Sequence, residues 1–342
     1  LTGDAKYRDW ITEYVDAWIE RADQNAGLLP DNVGLSGRVG EQINGKWYGG
    51  LYGWTWPHGY YNIGMAATVA SANAFLVTGN EKYLDLSRSQ YDLVWSKGEM
   101  RDPRTTEMSL RHHWVDQLDG DAEEIFVVPY RYRDRADGDS PGWFDYQPLS
   151  AVYPTAIWNQ SMGAADWERI ERLRAAERYD WRRVKVFRNK EEGGHDQPWL
   201  RYLAGDNPAY PEEILSAAYA NVCRRLALIA EDDADLTQVY IHHWQQHNPV
   251  VTEALVQLTL GAPQIIYNGG LLHCRLRYFN LGEGEGENER PGLPQDVAAL
   301  VSVLEAERTV VHLINLNPVH TRRLRIQAGA FGEHRFVAAR YG

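Results

Sequence analysis

The sequence predicts a mainly α protein, built from helical hairpins of the (α/α) toroid type, with a small β domain at its C-terminal end. Three observations carry that expectation. Apolar residues recur at three- and four-residue steps in several segments before residue 262. Glycines and capping residues end those segments and start the next after short turns. After Pro263 the texture changes to short strand-like runs broken by turn residues. The expected division is therefore residues 1–262, helical, and residues 263–342, β-rich.

The first helix is read from Tyr7, Trp10, Ile11, Tyr14, Val15, Trp18 and Ile19 on one face, with Arg8, Asp9, Glu13, Asp16 and Glu20 on the other. Asn25-Ala26-Gly27 ends it. Residues 28–61 are glycine-rich and unperiodic, and a loop of that length in a compact protein is usually functional. A small-residue helix follows over 63–77, where Ala66, Ala67, Ala70, Ala72 and Ala74 permit close packing. Thr78-Gly79-Asn80 closes it and Asn80 caps a further helix carrying Tyr83, Leu84, Leu86, Tyr91 and Val94, which makes an αα-hairpin. Residues 98–154 show no helix period, and the mixed-charge run 130–139 reads as solvated surface. Helical pattern returns over 163–179 and 210–232, with Pro211 suited to a first turn and Ile214, Leu215, Ala218, Tyr219, Val222, Leu226 and Ile229 as the apolar stripe. Residues 199–203 form a shorter apolar piece. Pro249 opens a last helix, which Gly261-Ala262-Pro263 closes. Beyond it, 264–267, 271–279, 309–316, 322–327 and 335–339 read as strands, and Gly282 to Glu287 as an acidic loop.

Composition bounds the function. The 342 residues are 44% hydrophobic and 24% charged, as in ordinary globular proteins. The excess is in amphipathic aromatics, 13 Trp and 20 Tyr against 7 Phe, the kind that stack on sugar rings while keeping a polar edge wet. A net charge of −12 without a basic stripe argues against nucleic acid or an anionic membrane as partner. No apolar run reaches the length of a membrane span. Two cysteines, Cys223 and Cys274, are too few for a disulfide scaffold. Leu1 starts the chain without a charged-then-apolar leader, so a signal peptide is expected to be absent or removed; compartment and homo-oligomerisation stay open.

Two stretches concentrate chemistry. Residues 46–62 hold Trp47, Tyr48, Trp54, Trp56, Tyr60 and Tyr61 among glycines, with His58 the one credible reactive group; a plug over the end of a helical core is the plainer alternative. Residues 240–253 hold His242, His243, His247, Trp244 and Asn248 before Glu253. His243 and His247 have the i, i+4 spacing of zinc ligands. No Glu follows His243 and Pro249 interrupts the helix, so no metal or other cofactor is expected. Glu253 is either a first-turn carboxylate on a helix dipole or an acid or base at a pocket mouth. Asp116, after His112-His113-Trp114, is the second candidate carboxylate. Asp31 and Glu41 flank Arg38, and Asp31-Asn32 suits a turn. Glycosidic hydrolysis needs two carboxyl groups across the anomeric carbon. Nucleophile-elbow, phosphate-loop and dinucleotide fingerprints are missing from the chain.

The run 25–62, with Gly-Leu-Leu-Pro-Asp-Asn-Val-Gly and Lys-Trp-Tyr-Gly-Gly-Leu-Tyr-Gly-Trp, resembles (α/α)6-toroid enzymes acting on uronic-acid glycans, and most of all glycoside hydrolase family 154, which contains β-glucuronidases. The resemblance covers the helical part and implies a hydrolase of polysaccharide degradation. Within that reading Glu253 and Asp116 supply the acid and base, with His58, His243 and Arg38 on the substrate carboxylate. Trp47, Tyr48, Trp54, Trp56, Tyr61, Trp244 and Asn248 line the saccharide. Toroid lyases share this architecture, and there His58 or His243 takes the C5 proton while Tyr60 protonates the leaving oxygen. A non-catalytic carbohydrate-binding protein is the third alternative.

Overall fold

The computed structural model describes residues 3–109, 123–134, 141–177, 179–185, 194–240, 243, 247–264, 273–282 and 289–341. The fold class is mixed α/β, 41% helix and 16% strand, with three small antiparallel sheets and no toroid evident among the described residues. This corrects the mainly α toroid expectation. A ring of helical hairpins needs an unbroken helical succession, and here sheets interrupt it, the first of them inside residues 99–147. The chain divides into two compact units, one ending at Asp180 and the other starting at Trp181, so the change of texture at Pro263 falls inside the second.

In the first unit α1 (Ala5–Gln24) starts where the Asp4 carboxylate accepts the Lys6 N–H at 3.0 Å. Its Val15 and Ala22 are buried with Leu29, Ala67, Ala74, Tyr83 and Leu86 in one apolar cluster. α2 (Tyr60–Thr78) ends at Gly79 in the left-handed conformation, and Asn80 caps the short turn that leads into α3 (Leu84–Trp95), as the hairpin reading requires. The segment without helix period is a three-stranded sheet: β1 (Glu99–Arg101), β2 (Ile125–Arg133) and β3 (Gly142–Gln147), paired antiparallel in that order. Ile125, Val127, Val128 and Tyr130 of β2 are all buried. Tyr130 is therefore interior, not part of a solvated charged run.

α4 (Val152–Ser161) follows, buried at every position from Val152 to Gln160. Its apolar residues face all directions, so it carries no amphipathic period to read. α5 (Ala164–Glu177) is tied to α3 through Asp166, which is 1% exposed and accepts hydrogen bonds from Arg88 Nε at 2.9 Å and Arg169 Nη1 at 3.0 Å.

In the second unit the apolar piece at 199–203 belongs to α6 (Asp196–Leu203), and the helix at 210–232 is α7 (Tyr210–Glu231), with Pro211 in its first turn. Of the stripe expected for α7 only Ile214 is buried, beside Tyr210, Asn221 and Arg225, while Leu215, Tyr219, Leu226 and Ile229 are exposed. α8 (Glu253–Leu255) begins at Glu253 rather than Pro249, continues as a π turn (Val256–Leu260) and stops at Gly261, φ +64°. β4 (Leu276–Asn280) lies between β5 (Arg290–Pro291) and β8 (Leu324–Ala328), and β6 (Val297–Leu304) pairs with β7 (Thr309–Asn315). β6 has a nearly continuous apolar sequence that strand alternation does not pick out, and residues 335–339 carry no strand.

Candidate functional site

The aromatic stretch folds around a carboxylate. Asp31 accepts the N–H of Gly50 at 2.9 Å and the N–H of Trp54, while the N–H groups of Asp31 and Asn32 both reach the Trp47 carbonyl. Burial pushes the Asp31 carboxyl up, and the amides of Gly50, Trp54 and Gly49 pull in the other direction. The glycines make room for this residue: a Cβ at Gly53 would lie 1.9 Å from Asp31 Oδ2, and one at Gly50 would lie 2.3 Å from its backbone oxygen.

Most of the aromatics fill the interior. Trp54 is fully buried, donates its indole N–H to the Leu29 carbonyl at 2.8 Å and stacks on Tyr60 at 6.1 Å. Tyr60 meets Tyr130 and Tyr153 edge-on, and burial drives its phenol far above the ordinary tyrosine range. Tyr61 is buried too, and Tyr48 is buried with its hydroxyl on Asp134 at 2.6 Å. Trp47 packs against Trp54 and Tyr132. Burial corrects the sugar-stacking role for Trp54, Tyr48 and Tyr61 and the proton-donor role for Tyr60, because all four side chains lie in the interior, away from any saccharide surface.

What remains on the outside is small. Tyr52 is 56% exposed at φ +61°, with its ring 5.1 Å from that of half-buried Trp56. His58 is half-buried with its ring 6.4 Å from that of Tyr61, and Arg38 is exposed, with Nε on Ser36 Oγ at 3.2 Å. Asp116 and Trp244 lie outside the described residues. Asn248 is exposed, and its side chain accepts the Val250 N–H at 3.0 Å, closing a turn.

Glu253, in the second unit, has the richest surroundings. His195 sits just before α6 and binds the Glu253 carboxylate twice, by its backbone N–H to Oε1 and by its ring Nδ1 to Oε2, each at 2.7 Å. Facing a carboxylate, Nδ1 carries the proton and donates. The other ring nitrogen lies 2.9 Å from the Lys185 carbonyl. Gln257, one turn on, approaches Glu253 Oε1 at 3.4 Å and accepts the hydroxyl of buried Tyr210.

Asp196, the next residue after His195, is 3% exposed, and its Oδ1 has no hydrogen-bond partner among the described residues. Burial first, and the Glu253 charge second, push its carboxyl well above the ordinary aspartate range. Tyr210 is pushed upward by burial and by the same two carboxylates. The result is two neighbouring acids in unlike surroundings: burial disfavours the charge of Asp196, while Glu253 accepts hydrogen bonds from the backbone and ring of His195. Such a pair can give and take a proton in one cycle. The residue-level reading found Glu253 and missed His195 and Asp196. The available signal was an acid–imidazole pair after Gly193-Gly194, opening a short apolar segment.

Two other groups of donors have metal-ligating composition, Asp232 with His243 and His247, and His273 with Glu333 and His334, each with its donor atoms within 4.8 Å. In the second group Glu333 serves the chain itself, accepting N–H groups of Ala330 at 3.0 Å and Phe331 at 2.7 Å. Burial opposes its ionisation, but the His273 contact and these amides outweigh it and hold the carboxyl at about 2.

No helix among the described residues is long and apolar enough to cross a membrane. Comparison with curated proteins and with solved structures finds no match. One family model does match, over residues 1–256, a span that takes in both Asp196 and Glu253; the chain belongs to that family, described as a domain of unknown function, DUF8034.

Proposed function

We propose that this chain hydrolyses a glycosidic bond in a uronic-acid-containing saccharide, with carboxylates rather than a cofactor carrying the proton transfers. The observation that supports it is the Asp196–Glu253 pair: a buried carboxyl with an unpartnered oxygen beside a carboxylate fixed by His195. Asp196 is the general acid that protonates the leaving oxygen. Glu253 is the partner that activates water or stabilises positive charge at the anomeric carbon. Asp196 thus takes the part first considered for Asp116.

The test is incubation with an aryl glucuronide and with uronide oligosaccharides. New reducing ends without the ultraviolet band of an unsaturated uronate are expected. Appearance of that band would identify a lyase, and binding without turnover would leave a carbohydrate-binding protein; either result overturns the proposal. Asp196→Asn and Glu253→Gln should each reduce turnover by about 10²–10⁴-fold.

A further inference from the structure

Asp232 ends α7, and its two oxygens are used differently. Oδ1 accepts the N–H of Ala234 at 3.1 Å, which fixes the carboxylate plane. Oδ2 faces two imidazoles, lying 2.8 Å from His243 Nε2 and 3.7 Å from His247 Nε2. The two rings are themselves close, with centroids 4.3 Å apart and planes inclined by 34°.

The decisive contact is on the far side of His247. Its Nδ1 lies 2.8 Å from the backbone oxygen of His243. A carbonyl oxygen only accepts, so Nδ1 carries hydrogen, and in the neutral ring Nε2 is left with its lone pair. That nitrogen lies 3.7 Å from Asp232 Oδ2, which is also an acceptor. Two acceptors turned on each other are satisfied by a cation between them. A backbone carbonyl that sets the tautomer of a metal-binding histidine in this way is the usual outer-shell arrangement.

We propose that Asp232, His243 and His247 bind one divalent transition-metal ion of the zinc class through Oδ2 and the two Nε2 atoms. Bonds of about 2.0–2.1 Å in a tetrahedron separate neighbouring donors by about 3.4 Å, and the observed 2.8 and 3.7 Å bracket that value. Two imidazoles and one carboxylate match zinc's ligand preference. Binding displaces the proton that His243 Nε2 shares with Asp232, so about one proton is released per metal bound by this ring. Three protein donors leave the fourth position to water or to an oxygen of a substrate, which makes the site open rather than sealed. This assignment is independent of the glycosidase reading. It also revises the inference from Pro249: the ligand set is completed by Asp232, upstream of both histidines, so a helix continuing past His247 is not needed.

The test is metal binding by the full chain after chelator treatment, with Zn²⁺ and Co²⁺ as the probes. Calorimetry should show one Zn²⁺ per chain, and Co²⁺ should give the intense visible bands of a four-coordinate ion. Asp232→Asn, His243→Ala and His247→Ala should each weaken Zn²⁺ binding by about tenfold or more. The double variant His273→Ala/His334→Ala should bind as the parent chain does. Failure of the unaltered chain to bind Zn²⁺ stoichiometrically overturns the site without reference to any variant. Tight binding that survives in folded Asp232→Asn and His247→Ala chains, checked by circular dichroism, overturns it as well.

Discussion

The aromatic stretch around Trp54 and the acid pair around Glu253 are opposites in how they use their residues. Around Trp54 the chain holds many large amphipathic side chains, and nearly all are consumed by packing: Trp54, Tyr60, Tyr61 and Tyr48 are buried. Around Glu253 there are few conspicuous side chains, yet a carboxyl oxygen of Asp196 is buried without a partner. Apolar area left in a core is ordinary and favourable. An unpartnered buried polar atom costs free energy of about 1–3 kcal/mol, and a fold that retains one gains something else from it. Density of aromatics therefore reports burial, whereas the buried acid beside Glu253 is what the proposed chemistry rests on.

Substitutions at the two regions should break the molecule in different ways. The largest effect belongs to the acid pair. Asp196→Asn keeps the size of the side chain and should lower hydrolysis by about 10²–10⁴-fold with thermal stability little changed, measured as turnover against melting temperature. An Asp196→Asn chain with full turnover would remove Asp196 from the chemistry. Next is the aromatic core. Trp54→Ala should cost about 3–5 kcal/mol in denaturant unfolding. Trp56→Ala, at a half-buried ring, should cost less, about 1 kcal/mol. Equal stability losses at the two tryptophans would erase the distinction between the buried plug and the half-buried ring beside it.

Smaller is Gly53→Ala, where the added methyl meets the Asp31 carboxylate; about 1–3 kcal/mol of destabilisation is expected from such overpacking. A neutral result would mean that Asp31 moves freely and does not order the loop. The smallest effect is a slope. Burial raises the pKa of Asp196 in the folded state, so the stability tied to its neutral form is complete below the ordinary aspartate value of 3.8 and declines as pH rises toward the raised one. Melting temperature followed from pH 4 to pH 8 should fall less steeply in Asp196→Asn than in the parent chain. Identical slopes would mean that Asp196 is ionised in the fold.

The helices α1, α2, α3 and α7 were legible because their segments carry a helix period or strong caps, and β4, β7 and β8 because turn residues frame them. The toroid was inferred from hairpins that do exist, and it fails because β1, β2 and β3 intervene. β2 and α4 were illegible for one reason: each is buried on more than one face, so neither alternates nor cycles. α7 shows the converse error, since a regular apolar stripe proved to be exposed at Leu215, Tyr219, Leu226 and Ile229.

By itself the sequence determined where most helices start and stop, that the chain is acidic and rich in Trp and Tyr, and that Glu253 lies in the first turn of a helix after a polar stretch. Those properties are local, set by caps, periods and composition within a few residues. Only the tertiary structure decided which aromatics are interior and which acid is buried. It brought His195 and Asp196 to Glu253, 58 and 57 residues away in the chain, and Asp232 to His243 and His247. Acidity and ligation depend on what lies within a few ångströms, and neighbours at that distance are chosen by packing rather than by order along the chain.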